Sequence, residues 1–172
     1  MALTAAQQTT LKTDITSAAN AAALGAFIAA SDWPSVAIFY NGVAVPDFWV
    51  WRSFVSQTEY VSTTSVDGTT WSWPQYITRS QGERDGWREM FADARGVNPS
   101  LVNVRQAVAD IFSGVGAAPV AQRTHLLTIS RRKASLFEKL FATGTGLVSS
   151  PALMGLEGSV SADAVQQAML HG

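Results

Sequence analysis

Apolar residues recur along this chain mostly at spacings of three and four, so it reads as a string of short helices. Leu11, Ile15, Ala18 and Ala22 fall on one stripe. Thr4-Ala5-Ala6-Gln7 opens it with a capping-box pattern, in which two orphan backbone N–H groups are satisfied reciprocally. Gly25 is expected to loosen or end this helix. A second helix is expected from Ser31-Asp32-Trp33-Pro34, with Ser31 or Asp32 as cap and proline in the first turn. Val36, Phe39 and Tyr40 would be its buried stripe, and Asn41-Gly42 a turn. Phe54, Val55, Thr58 and Val61 also stand at helical spacing. Ser80-Gln81-Gly82-Glu83 is another capping box, followed by Trp87, Met90, Phe91 and Ala94 at i, i+3, i+4 and i+7. Gly96 ends this helix. The next spans about 100–112, with Leu101, Val104, Val108, Ile111 and Phe112 inward. Pro119 starts one that carries Val120, Thr124 and Leu127. Ser135-Leu136-Phe137-Glu138 is the third capping box, and Leu136, Phe137, Leu140 and Phe141 run from it toward Gly144.

Three stretches break the helical period. In 46–52 (Pro-Asp-Phe-Trp-Val-Trp-Arg) four large apolar residues follow one another. If this run is extended, Phe48 and Val50 share one face and Trp49 and Trp51 the other; a first helical turn capped by Asp47 fits equally well. The segment 62–74 is rich in Thr, Ser and Val around Asp67-Gly68, with Trp71 and Trp73 two apart, and reads as a hairpin or a loop. From 145 to 158 Gly146, Ser149, Ser150, Pro151, Gly155 and Gly158 exclude a long regular element. Yet Leu147, Val148, Leu153, Met154 and Leu156 lie among them, which is too apolar for a solvated linker. These hydrophobes are expected to bury against either their own domain or a neighbouring subunit. Ser161 would cap a last short helix with Val165, Ala168 and Met169 on one face. The expected fold class is mainly α: a helical bundle over 1–143, a small hairpin or loop insertion at about 62–74, and an extended C-terminal arm over 144–172 ending in a short helix.

Composition narrows the chemistry. Among 172 residues 47% are hydrophobic and 15% charged, below the usual ~25% for charged residues. There is no cysteine, and the only histidines are His125 and His171. No disulfide can form, and a closed zinc site, which needs about four such ligands, has too few. No metalloprotease, nucleophile-elbow, Walker or dinucleotide motif is present. Thr143-Gly144-Thr145-Gly146 follows a helical pattern where a phosphate cradle would precede one, so it reads as a helix stop. Glu83, Asp85, Glu89 and Asp93 alternate with Arg84 and Arg88 on one helix, the pattern of a solvated face. No catalytic, cofactor or metal residue is assigned. The most apolar stretch, 18–30, is too short for the ~20 residues of a membrane span. The N-terminus has no charged region ahead of an apolar one, so no secretory signal is expected and a cytoplasmic setting is the simplest.

Lys and Arg total 12 against 13 Asp and Glu, but unevenly. Residues 123–139 hold five basic residues (Arg123, Arg131, Arg132, Lys133, Lys139) and one acid, whereas residues 1–78 hold two basic residues and five acids. Such polarity suits head-to-tail stacking of copies. Alternatively the cations complement helix ends or face nucleic acid. The Trp-rich region from 49 to 73 contains only Arg52 as a cation, which argues against the interleaved aromatic and basic residues of a single-strand binder.

Several blocks resemble a group of small virion proteins of tailed bacteriophages. They are Leu3-Thr4-Ala5-Ala6-Gln7 with Leu11-Lys12-Thr13-Asp14-Ile15, then 46–52, Asn103-Val104-Arg105, and Arg132-Lys133-Ala134-Ser135 with 138–146. Ser150-Pro151-Ala152, Gly155, Glu157-Gly158 and Val165-Gln166-Gln167-Ala168 complete the pattern. The stretch 62–73 departs from it. The resemblance implies a head-to-tail connector, or adaptor, located in the virion neck after assembly in the host cytoplasm. It implies a ring, commonly of twelve copies, beneath the portal protein, with tail or nozzle proteins below. DNA would be met only in the channel. It implies no enzyme activity, no cofactor and no membrane. Portal or subunit contacts would fall to Arg131, Arg132, Lys133, Leu147, Val148, Leu153, Met154 and Leu156. Outer or inter-subunit contacts would fall to Trp49, Trp51, Trp71 and Trp73. The alternatives are a tail terminator or other tail-ring protein, a nucleic-acid-binding module using 123–139, and a small enzyme. On the adaptor reading, deleting 143–172 is expected to leave a folded body.

Overall fold

The computed structural model describes residues 2–92 and 95–171. The architecture is mainly α: ten helices and four very short strands among the described residues. Two compact units divide the chain, a terminal unit of Met1–Phe48 with Lys133–Gly172 and a central unit of Trp49–Arg132. The boundary expected at 143–144 is thus internal to one unit, and the residues after it belong with the N-terminal helices.

In the terminal unit α1 (Ala5–Ile15) opens with the expected box: Thr4 N–H donates to Gln7 Oε1 at 2.8 Å, and Gln7 N–H to the Thr4 hydroxyl at 3.3 Å. The helix stops well before Gly25. Asn20 donates from its side-chain amide to the Asp14 carbonyl at 2.9 Å and to the Asp14 carboxylate at 3.1 Å, which turns the chain after Ile15. A separate helix, α2 (Ala21–Ala29), then runs straight through Gly25, whose missing Cβ has open space around it. The apolar stripe is therefore two helices; a local Asx interaction outcompeted continuation. α3 (Trp33–Asn41) has Asp32 as its cap and Pro34 in its first turn. α9 (Leu136–Phe141) carries the Ser135 box. The last helix, α10 (Ala162–His171), packs on α1 and α3. Its Val165 and Ala168 join Leu11, Ile15, Leu24, Val36, Tyr40 and Phe137 in one core, with Met169 partly buried beside them. Deleting 143–172 would remove part of this core, so the truncation expected to leave a folded body takes buried residues from the terminal unit.

The central unit begins with β1 (Trp49–Trp51), which pairs with β4 (Arg131–Lys133) where the chain leaves. The extended alternative holds: Val50 is fully buried, and Trp49 and Trp51 on the other face are half-buried. β2 (Val55–Ser56) pairs antiparallel with β3 (Gly96–Val97). The helix expected around Phe54 begins later, as α4 (Gln57–Ser62), because Ser56 accepts the Glu59 N–H as its cap. Tyr60 is the buried residue, and Phe54 is exposed. Of the 62–74 segment, residues 63–72 are a loop, tightened by Ser65 N–H on the Thr69 carbonyl and by Gly68 (φ +81°), without a ladder. Ser72 then caps α5 (Trp73–Ile77). The Ser80 box opens α6 (Gln81–Glu89), which buries Trp87, with Phe91 buried just beyond it. Asp93 and Ala94 lie outside the described residues. α7 (Val102–Ile111) and α8 (Ala117–Ile129) complete the unit. The stripe expected on α8 is displaced: Val120 and Thr124 are exposed, and the buried face is Gln122, His125, Leu126 and Ile129. Gln122 and His125 lie on it because helix and loop backbone from elsewhere in the unit bonds to them, as described below.

Candidate functional site

The C-terminal arm follows α9. Thr143 and Leu153 exchange two backbone hydrogen bonds of 2.8 and 2.9 Å, and inside them Ser150 N–H donates to the Leu147 carbonyl at 3.0 Å. The Thr145 hydroxyl donates to the Ser150 carbonyl at 2.9 Å. The result is a tight double-backed loop. Two glycines are required in it. Gly144 (φ +128°) lies against Ala152, and at Gly146 (φ +66°) any Cβ would enter the Phe48 ring. Below the loop the arm is tied down. The Glu138 carboxylate, 3% exposed, accepts the Ser135 and Gly158 N–H groups. Asn41 grips Val160 through two 2.9 Å bonds, one in each direction.

The five arm hydrophobes therefore divide. Leu156 packs on the terminal core, and Met154 is half-buried. Leu147, Val148 and Leu153 remain 58%, 47% and 45% exposed on the loop. Own-unit burial accounts for part of the arm's apolar excess and leaves three aliphatic side chains outward.

The basic residues are committed within the chain. Arg123 bonds to the Phe112 carbonyl and, at 2.9 Å, to the Gly114 carbonyl, which satisfies the C-terminal end of α7. Arg131 donates to the Thr128 hydroxyl at 3.1 Å and stacks 5.7 Å from the Trp49 ring. Lys133 lies 2.7 Å from Asp47. Lys139 sits 5.8 Å from the Phe48 ring. Arg132 is half-buried.

The four tryptophans assigned to outer contacts also separate. Trp71 is 8% exposed and packs against Tyr76, Trp87 and Phe112, so it belongs to the core and offers no surface. Its period-two spacing from Trp73 misled because the chain turns into α5 between them. Trp73 is 57% exposed, braced edge-on by Trp71 at 5.6 Å and Tyr76 at 5.8 Å. Trp51 is covered by the Arg105 guanidinium at 4.6 Å. Trp73 forms the lip of an open cleft of about 400 Å³, floored by Tyr76, Trp87 and Val61 and rimmed by Gln57, Thr58 and Arg88.

Sequence reasoning missed the polar hub of the central unit. His125 is fully buried, with Nε2 2.8 Å from the Tyr60 carbonyl and Nδ1 3.2 Å from the Thr69 carbonyl and 3.4 Å from the Thr69 hydroxyl. Gln122 accepts the Ser72 N–H at 2.8 Å. The Tyr60 hydroxyl meets Ser130 at 2.7 Å, and burial pushes that phenol up to about 12 against the lowering effect of this bond. The Thr128 hydroxyl donates to Asp67 at 3.0 Å. The signal was present: Gln122, His125, Leu126 and Ile129 have i, i+3, i+4, i+7 spacing once polar residues are admitted to the stripe.

Among the described residues no three or more His, Cys, Asp or Glu gather as a metal ion would require, and no helix is long and apolar enough to cross a membrane. No family model matches the chain, and no curated protein or solved structure matches it either.

Proposed function

We propose that this chain is a structural virion protein, a head-to-tail adaptor that forms a ring beneath a portal and links capsid to tail. The observation that carries the reading is the 147–153 loop. Three aliphatic side chains stand outward on a backbone that hydrogen bonds and glycine geometry hold in one shape. A preshaped apolar protrusion loses little freedom on docking, so it is suited to a protein partner. The mainly helical architecture favours an adaptor over a tail terminator, which would be richer in sheet. Partners within the chain for Arg123, Arg131 and Lys133 favour the adaptor reading over a nucleic-acid module. On this reading the chain catalyses nothing and needs no cofactor. It resides in the virion neck and passes through the host cytoplasm.

The test is to mix purified chain with purified portal rings and to follow binding by sedimentation and negative-stain imaging. Twelve-fold density added beneath the portal is expected. Val148→Asp, which places a charge on the exposed loop, should weaken joining at least tenfold while circular dichroism stays unchanged. Density capping tail tubes instead of portals would replace the adaptor reading with the terminator one, and undiminished joining by Val148→Asp would remove the loop from it.

A further inference from the structure

We propose that the Trp73 cleft of the central unit is the receptor for the 147–153 loop of a second copy, so that copies join head to tail. This deepens the adaptor reading and rests on it, because it names the contact through which a ring would close.

The cleft and the loop match in charge. Trp73 is more than half exposed yet braced by two aromatic neighbours, so the lip of the cleft is already positioned for a partner. The floor is aromatic and aliphatic, and the rim at Gln57, Thr58 and Arg88 is polar. Its one charged lining residue, Arg88, has its guanidinium 3.0 Å from the Asp85 carboxylate, which leaves the cleft close to neutral. A neutral apolar occupant avoids desolvating an unmatched charge. Between Lys139 and Glu157 the chain carries no charged residue, and its exposed side chains there include Leu147, Val148 and Leu153. Another exposed aliphatic segment of the terminal unit, at Val43 and Val45, is followed directly by Asp47 and its Lys133 partner, and fits a neutral cleft less well.

The second observation selects the partner and the symmetry. The terminal unit contains three Lys and Arg against six Asp and Glu, a net of −3; the central unit contains nine against seven, a net of +2. A symmetric pairing of either unit with itself would bring like charges together. A terminal unit on another copy's central unit brings opposite charges together. That is a heterologous contact, which generates a ring when the rotation closes.

Because the chain has no cysteine, the contact can be trapped directly. Val148→Cys and Thr58→Cys, each made alone and distinguished by a mass tag, are mixed and treated with diamide, free and on portal rings. Mixed disulfide dimers should exceed both same-variant dimers, and should exceed at least fivefold the yield from Val148→Cys mixed with Thr9→Cys, an exposed control on α1. Adding Trp73→Ala to the Thr58→Cys copy should lower the mixed yield at least fivefold, with circular dichroism reporting an intact fold. A mixed yield no higher than the control overturns the proposal. If rings still assemble on the portal in that case, the adaptor reading stands and only this contact falls. If portal joining also fails, both fall.

Discussion

The terminal and central units solve the same packing problem with different side chains. The terminal core is aliphatic: Leu11, Ile15, Leu24, Val36, Val160 and Val165, with Phe137 and Tyr40 as its buried aromatics. It is closed by chain ends, α10 against α1 and α3. The central core stacks six aromatics, Tyr60, Trp71, Tyr76, Trp87, Phe91 and Phe112, with ring centroids 4.9–6.0 Å apart among them. It is closed by a polar face of α8 that collects backbone groups from the 60–72 region. Aliphatic helices bury well wherever stripes meet. Aromatic clusters surrounded by loop backbone need buried polar partners for that backbone, since an unpaired buried group costs about 1–3 kcal/mol.

Removing the closing element of the terminal unit tests this contrast most severely. Deletion of 161–172 takes away Val165 and Ala168 and uncovers Leu11 and Ile15, a loss of more than ~5 kcal/mol by large-to-small and burial magnitudes. That is comparable to a whole domain's stability. Amides of α1 and α3 should lose hydrogen-exchange protection, whereas those of α8 should keep theirs. Retained protection in α1 would show that the chain ends do not close this core.

The matching change in the central unit is Trp87→Ala. Trp87 is 2% exposed and touches Tyr60, Trp71, Phe91 and Phe112. Its truncation should cost about 4 kcal/mol. Five of the six tryptophans, all but Trp33, lie in the central unit. Tryptophan emission therefore follows that unit, and circular dichroism follows both. The variant should lower the emission-detected midpoint more than the dichroism-detected one. Coincident shifts in both probes would merge the two cores into one cooperative structure and break the comparison.

The same contrast explains what could be read in advance. All three capping boxes, at Thr4, Ser80 and Ser135, formed as their spacing required, because a cap depends only on residues within one turn. The α10 face was legible for the same reason. Misreadings fell where distant backbone decided the outcome. The spacing of α8 points Val120 and Thr124 inward, but Gln122 and His125 are inward because Ser72, Tyr60 and Thr69 present backbone to them. The resemblance makes Trp71 an outer contact, but its burial depends on Trp87 and Phe112 from two other segments. The arm's apolar excess was visible. Its division between anchoring Leu156 and exposed Leu147 was not, since that division follows from Glu138 and Asn41 seizing the arm downstream of the loop.

Asp67 offers the smallest and most local test of the central hub. Its carboxyl is held down at about 2, chiefly by the Ser65 hydroxyl and then by Thr69 and Thr128, with its slight burial acting in the other direction. A folded-state value below the ordinary 3.8 means that the charged form stabilises the fold above about pH 4. That contribution fades as pH falls from about 4 through about 2. Asp67 is exposed, so solvent screening limits it to less than ~1 kcal/mol. Glu83 is also lowered, by the Ser80 hydroxyl first, so global acid unfolding blends the two and a local probe is needed. Thr69 links the Asp67 loop to the His125 ring, and Thr128 links it to α8. Asp67→Asn should therefore move the His125 ring resonances at neutral pH. It should also flatten the stability profile between pH 4 and 2, whereas Glu83→Gln should leave the His125 resonances in place. Equal responses from the two variants would detach Asp67 from the hub and leave it as an ordinary turn residue.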